Sequence, residues 1–281
     1  MKLISILCLL FFTSPSFAVD TVRYNLSLQY PDPKQQYYID ILELALDASV
    51  DTFGEYELLA VNIEMPQGRA STVLELNEVI DVTWRMTTVE LEQRLKAVPV
   101  PLLRGLMGYR IGIIRKGEQE NFPANITAEQ LRNIVIGQGH DWPDSIILRH
   151  NGMTVVEGLE HTMFTMLRLK RFDFFLRALN EPWVEVADKP HLVVEKNILV
   201  QYSAPIFFFV NRNNLRLHER LTVGLNIAID DGRFQRLFEG HPVTANMISN
   251  AKLKQRKVFK LFNPLLSVET KKLQEDKWLW Y

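Results

Sequence analysis

A single cysteine, Cys8, stands in the 281 residues. It lies inside the apolar run LISILCLLFF that follows Lys2, so no disulfide can form in the chain left once that run is removed. The run ends at TSPSFA, where Ser16 and Ala18 are the small residues of a cleavage point. This reads as a secretory signal peptide cut after Ala18, and so as an exported chain. No later stretch approaches the roughly 20 unbroken apolar residues that a membrane-spanning helix needs. An exported chain without disulfides has to rest on buried apolar surface, and the about 263 residues left after cleavage (281 minus 18) suffice for one or two cores.

Excess charge is also lacking. The formal net charge is −1, or −2 without Lys2, which excludes the basic face a nucleic-acid partner requires. One basic run, KLKQRKVFK at 252–260, is read as a solvated face, with a membrane or polyanion patch as the alternative. The six histidines, at 140, 150, 161, 191, 218 and 241, form no i,i+4 pair and have no cysteine nearby, so the spacing of a metal site is missing. The chain has no G-x-S-x-G elbow and no G-x-x-x-x-G-K loop, and the glycines of GLMGYRIG miss dinucleotide spacing. No cofactor is expected.

What is present is alternation. TVRYNL reads as a strand, YPDPK as a turn, and QQYYIDILELALDASV as an amphipathic helix with Ile39, Leu42, Leu44, Leu46 and Val50 among its apolar positions. The strand YELLAVNI, the helix GRASTVLELNEVI and the strand IDVTW follow. Glycines at 105, 108 and 112 interrupt LLRGLMGYRIGIIRKG, where a strand could leave one domain for another. The alternation then restarts: ITAEQLRN as a helix capped by Thr127, IVIGQG, DWPDSIILRHNG, MTVVEG, a helix through GLEHTMFTMLRLKR, and FDFFL. Two strand patterns in HLVVEKNILVQYSAPIFFFVNRNN lead to the helical LRLHERLTVGLNIAIDDGRFQRLFEG. IFFFV is apolar enough to be buried on both faces and is placed back in the first sheet. The terminal WLWY is expected to pin the C-terminus to the first domain.

The order of leader, strand, helix, "IDVTWRMTTVELEQR", "GYRIGIIRKG", "LRNIVIGQGHDW", "LRLKRFDFF" and "APIFFFVNRNN" resembles the type II periplasmic solute-binding proteins, in the amino-acid-binding branch of bacterial ABC importers. The resemblance runs over nearly all of the chain after the leader. It implies an α/β class and a two-lobed fold, each lobe a mixed, mostly parallel sheet flanked by helices and the two joined by a two-strand hinge. The lobes are expected at 19–107 with 203–281, and at 108–202. The ligand cleft of such a pair lies at the carboxyl ends of the strands.

Carried onto this sequence, the resemblance makes Arg94 the guanidinium that grips a ligand carboxylate, since an arginine offers two parallel donors. Without it, Arg94 reads as a helix charge paired with Glu90 at i,i+4 spacing. Thr87 and Thr88 would add hydrogen bonds, and either can also cap the helix that follows. In the second lobe Gly139, His140 and Trp142 stand where small polar residues usually receive an anion, although Asp141 puts a negative charge beside them. Asp173 matches the acid that binds an amino group, or else is a strand-end cap or an ion-pair partner of Arg171 or Arg177. Arg177 would neutralise that acid or hold a second anionic group, and Tyr30 would stack on the ligand.

The function implied is a monomeric periplasmic protein, not an enzyme, that closes around a small polar, carboxylate-bearing ligand, an amino acid or a related solute, for ABC-type uptake through an inner-membrane permease. Two alternatives use the same fold. One is a ligand-sensing receptor for a membrane signalling protein, and the other is a dehydratase-like enzyme working through Asp141, Asp173 or Glu181.

Overall fold

The structure is a computed structural model describing residues 19–26, 28, 32 and 34–273. The cleavage point, Tyr30 and the terminal WLWY lie outside the described residues. The first run of elements is β1 (Asp20–Leu26), α1 (Gln35–Ala48), α2 (Val50–Phe53), β2 (Tyr56–Asn62), α3 (Gln67–Leu76), β3 (Val82–Met86), α4 (Val89–Arg94) and β4 (Lys96–Val98). The second run is β5 (Tyr109–Arg115), α5 (Ala128–Arg132), β6 (Val135–Gly139), α6 (Asp144–His150), β7 (Thr154–Gly158), α7 (Met163–Arg168), β8 (Phe174–Ala178), α8 (Pro182–Val186), β9 (Leu192–Val194) and β10 (Ile198–Gln201). The last is β11 (Ile206–Val210), α9 (Leu215–Asp230), α10 (Arg233–Gly240), α11 (Met247–Ala251), β12 (Lys257–Lys260) and α12 (Val268–Lys272).

Two mixed sheets result, one per lobe. The first has the order β2-β1-β3-β11-β4, with β1, β2 and β3 parallel and β11 antiparallel to both of its neighbours. All five residues of β11 are buried, as the run IFFFV predicts. Withdrawing each of its three phenylalanines from water contributes about 1.5–3 kcal/mol. Across one face of this sheet, Ile41, Leu42 and Leu46 of α1 share a core with Leu217, Leu221 and Leu225 of α9. The four-residue steps from Leu42 to Leu46 and from Leu217 through Leu221 to Leu225 keep these side chains on one side of each helix.

The second sheet has the order β12-β10-β5-β8-β6-β7, with β9 also pairing β5. Thr127 caps α5 in a capping box with Gln130, as its position in ITAEQLRN predicts. β12 departs from the expected division, which kept 203–281 with the first lobe: it pairs in parallel with β10 at the edge of the second sheet. β10 would otherwise expose an unpaired ladder, and KVFK covers it. Its two lysines are exposed, so the segment is a solvated face, as expected, and an edge strand at once. The chain then returns to the first lobe, where Val89 N donates to Leu265 O at 2.8 Å and Thr270 Oγ1 donates to Glu92 Oε1 at 2.7 Å.

Where the chain first passes between lobes, Gly105 has φ 80 and Gly108 approaches the other crossing so closely that a Cβ on it would lie 1.7 Å from the Tyr202 carbonyl oxygen. The Tyr202 backbone is held against Gly108 by its own N–H, which donates to the Gly108 carbonyl at 3.0 Å, so Gly108→Ala is expected to cost about 2–3 kcal/mol of stability by overpacking. Urea unfolding measures it, and an unchanged midpoint would refute this close approach.

Candidate functional site

In each lobe the carboxyl ends of the parallel strands open toward the other lobe. In the first, β1 leads to the start of α1 at Lys34, β2 to the start of α3 at Gln67 and Gly68, and β3 to the start of α4 at Thr88. In the second, β6, β7 and β8 lead to 140–142, 159–160 and 179–181. Lys34 crosses the gap: its ammonium lies 2.9 Å from Glu185 Oε1, 3.9 Å from Glu181 Oε1, and 3.2 Å from Asp32 Oδ1 in its own lobe. Asp141 crosses in the other direction, its Oδ2 standing 3.6 Å from where a Cβ on Gly68 would be.

Arg177 organises the acids. Its Nε donates to Glu185 Oε2 at 2.9 Å and its Nη2 to Glu181 Oε1 at 2.9 Å. Its guanidinium carbon lies 4.6 Å from the centre of the Trp142 ring and 4.9 Å from that of Phe175. Burial alone would raise the Glu185 carboxyl, but Arg177 and Lys34 override it and hold it down at about 2. Burial likewise opposes the charge on Lys34, and Glu185 and Glu181 more than restore it, so the ammonium holds its proton above the usual range. Glu160 moves the other way: crowding by surrounding protein raises its carboxyl, with Asp32 and Glu181 adding to the shift and Arg177 and Lys34 opposing it. The gap therefore holds a fixed cation pair facing several acids, one of them reluctant to ionise.

A second polar corner lies at α3. Arg85 Nη1 donates to Ser71 Oγ at 2.7 Å and to the Gln67 carbonyl, while its buried Nε has no hydrogen-bond partner among the described residues. Burial lowers this guanidinium to about 10, partly offset by Asp141 from the other lobe. An arginine that is buried, incompletely bonded and faced by a carboxylate across the gap is suited to an anionic guest. Among the described residues, no group of three or more His, Cys, Asp or Glu side chains is placed to hold a metal ion.

Neither a protein-family model nor a curated protein matches the sequence. Solved structures do match. A Salmonella typhimurium periplasmic binding protein of high arginine specificity superposes with a TM-score of 0.60 at 16% identity, over 79% of this chain and 98% of that one. An ancestral arginine-binding protein bound to arginine gives 0.56 at 17% identity, over 78% and 96%. The substrate-binding protein of an amino acid ABC transporter gives 0.55 at 11% identity, over 78% and 97%. The fold is that of the two-lobed periplasmic binding proteins.

Within this periplasmic-binding-protein fold, the residues named from the sequence divide. Arg177 and Trp142 belong to the interlobe cluster. Trp142 lies flat on Phe175, with 14° between the rings, and a Cβ on Gly139 would run into it at 2.3 Å, so Gly139 is the space that lets Trp142 fold back over β6. His140 is exposed and turns to Asp141, at 3.1 Å.

Arg94 is corrected. Its Nε and Nη2 donate to Glu75 Oε2 at 3.1 and 2.8 Å, Nη2 also reaches Thr72, and Nη1 lies 3.6 Å from Glu90, all within the first lobe. The i,i+4 pair with Glu90 holds, and a second acid on α3 completes the set. Thr87 is fully buried and gives its hydroxyl to Glu92. Thr88 caps α4 by accepting from Leu91 N at 3.1 Å.

Asp173 stands at the wrong end of its strand. It precedes β8, bonds to Val135 at the start of β6 and pairs with Arg115 at 2.8 Å. A five-residue strand rises about 13–16 Å, which separates Asp173 from the carboxyl end where Glu181 begins α8. The sequence reading missed Lys34, Asp32, Glu160 and Glu185 as site residues. It also passed over Arg85, although Arg85 opens the same stretch that Arg94 closes. The available signal was position: an arginine inside a strand of apolar residues has to find a buried partner, whereas one in a helix rich in glutamate finds a partner at the surface.

Proposed function

We propose that the chain is a periplasmic solute-binding protein that closes its lobes around a small polar, carboxylate-bearing solute, an amino acid or a relative of one, and delivers it to an inner-membrane ABC permease. Oppositely charged side chains from the carboxyl ends of both sheets meet across the gap, Lys34 with Glu185 and Arg85 near Asp141, and this observation carries the reading. A ligand with an ammonium and a carboxylate could replace these internal partners one for one, its carboxylate at Arg85 and its ammonium among Glu160, Glu181 and Glu185. The structural neighbours include an arginine-specific periplasmic binding protein and an arginine-bound one, which supports binding without turnover. The leader directs the monomer to the periplasm, and the lobes, bounded as the sequence suggests with β12 strapped across, close by bending the segments that join them.

A thermal-shift screen with amino acids, dicarboxylates and short peptides tests this. A ligand at 100 times its dissociation constant stabilises by about 2.7 kcal/mol, which in a protein of this size moves the midpoint by roughly 5–10 °C. The best compound should be recovered unchanged. Conversion to product would replace the reading with an enzymatic one, and a screen without any shift would remove the carboxylate solute from it.

A further inference from the structure

A cavity of about 470 Å³ lies at the hinge and shares no lining residue with the charged cluster between the lobes. Its walls come from three segments that pass between the lobes: 101–109, 201–205 and 260–273. Arg104, Lys260 and Lys271 line it beside Tyr109, Leu261 and Phe262, and among the described residues no aspartate or glutamate lines it. Among the described residues, neither Lys260 nor Lys271 has a carboxylate partner, and Lys271 sits 5.7 Å from the centre of the Phe262 ring. The imbalance extends beyond the cavity. No acid occurs between Glu239 and Glu269, while Lys252, Lys254, Arg256, Lys257 and Lys260 do, in a chain of net charge −1. Lys260 and Lys271, exposed ammonium groups beside an apolar hollow of ligand size, attract and hold an anion with an apolar body.

We propose that this hinge cavity is a second ligand site, for a small amphipathic anion whose apolar body fills the hollow and whose carboxylate or sulfonate meets Lys260 and Lys271. The site is independent of the interlobe cluster. The basic run at 252–260 belongs to its approach, since that run ends on a residue of the rim.

Calorimetry on the full-length protein without its leader tests the proposal, with decanoate below its micellar concentration as the probe. Decanoate should bind saturably at one per chain, and uncharged decanol at least tenfold more weakly. The double variant Lys260→Glu/Lys271→Glu, both positions being exposed, should weaken decanoate at least tenfold while leaving the urea midpoint unchanged. Arg85→Met should leave decanoate binding intact, which separates this site from the gap between the lobes. The proposal is overturned by an absence of saturable binding, by equal affinity in the double variant, by loss in Arg85→Met, or by binding that emerges only when residues 274–281 are deleted, which would make the chain's own end the occupant.

Discussion

Replacing Arg177 with methionine should lower the free energy of unfolding by about 3–5 kcal/mol, the usual consequence of removing one partner from a buried ion pair. The side chain is 2% exposed and holds Glu181 and Glu185 together, so its loss leaves two carboxylates facing the single ammonium of Lys34. It also removes the cation from the faces of Trp142 and Phe175. The pH dependence gives a second check. Glu185 is held at about 2 in the folded chain, against about 4.3 in an unfolded one. A depressed carboxylate contributes stability that is fully present above the unfolded value and is lost as pH falls through the folded one. The parent should therefore lose this contribution between roughly pH 5 and 2. The variant, lacking the cation that depresses the group, should lose less, so that the two unfolding curves draw together at pH 3. A variant within 1 kcal/mol of the parent at pH 7 would mean that the cluster is solvated and that the arginine does not hold it.

The fold was legible because burial period and turn chemistry act locally. The pattern at 20–86, the cap at Thr127 and the five buried residues of β11 all follow from spacing that any window of ten residues contains. β12 was not legible, since its pairing with β10 depends on an edge some 60 residues earlier in the chain, and its lysines carry the signature of a solvated surface. The site was legible by element more than by residue. The junctions after β3, β6 and β8 do face the gap, but which residue of each junction points into it depends on where the strand ends. Taking the start of β8 for its end selects Asp173 instead of Glu181. Reading α4 as the wall of the gap selects Arg94, whereas the strand before it supplies Arg85. Lys34 could be assigned only from the opposite lobe, because nothing in YPDPK reveals that Glu185, about 150 residues later, waits across the gap.

The choice between the two arginines is open to a direct measurement. With the best ligand from the thermal-shift screen, Arg85→Met is expected to weaken binding by roughly 30–100-fold, equivalent to about 2–3 kcal/mol for a charge-assisted, desolvated carboxylate contact. Arg94→Ala should change affinity by less than about threefold, because its donors already serve Glu75 and Glu90 at a partly exposed site, where such pairs contribute at most about 1 kcal/mol. Arg85 also steadies the start of α3 through Gln67 and Ser71, so a general loss of structure has to be told apart from loss of a ligand contact. Arg85→Lys does this: it keeps a cation for α3 but gives up the planar fork, and it should retain most of the unliganded stability while losing most of the affinity. The reverse ranking, full affinity in Arg85→Met with loss in Arg94→Ala, would restore the clamp to the helix and leave the buried guanidinium to hold Ser71 and the Gln67 carbonyl alone.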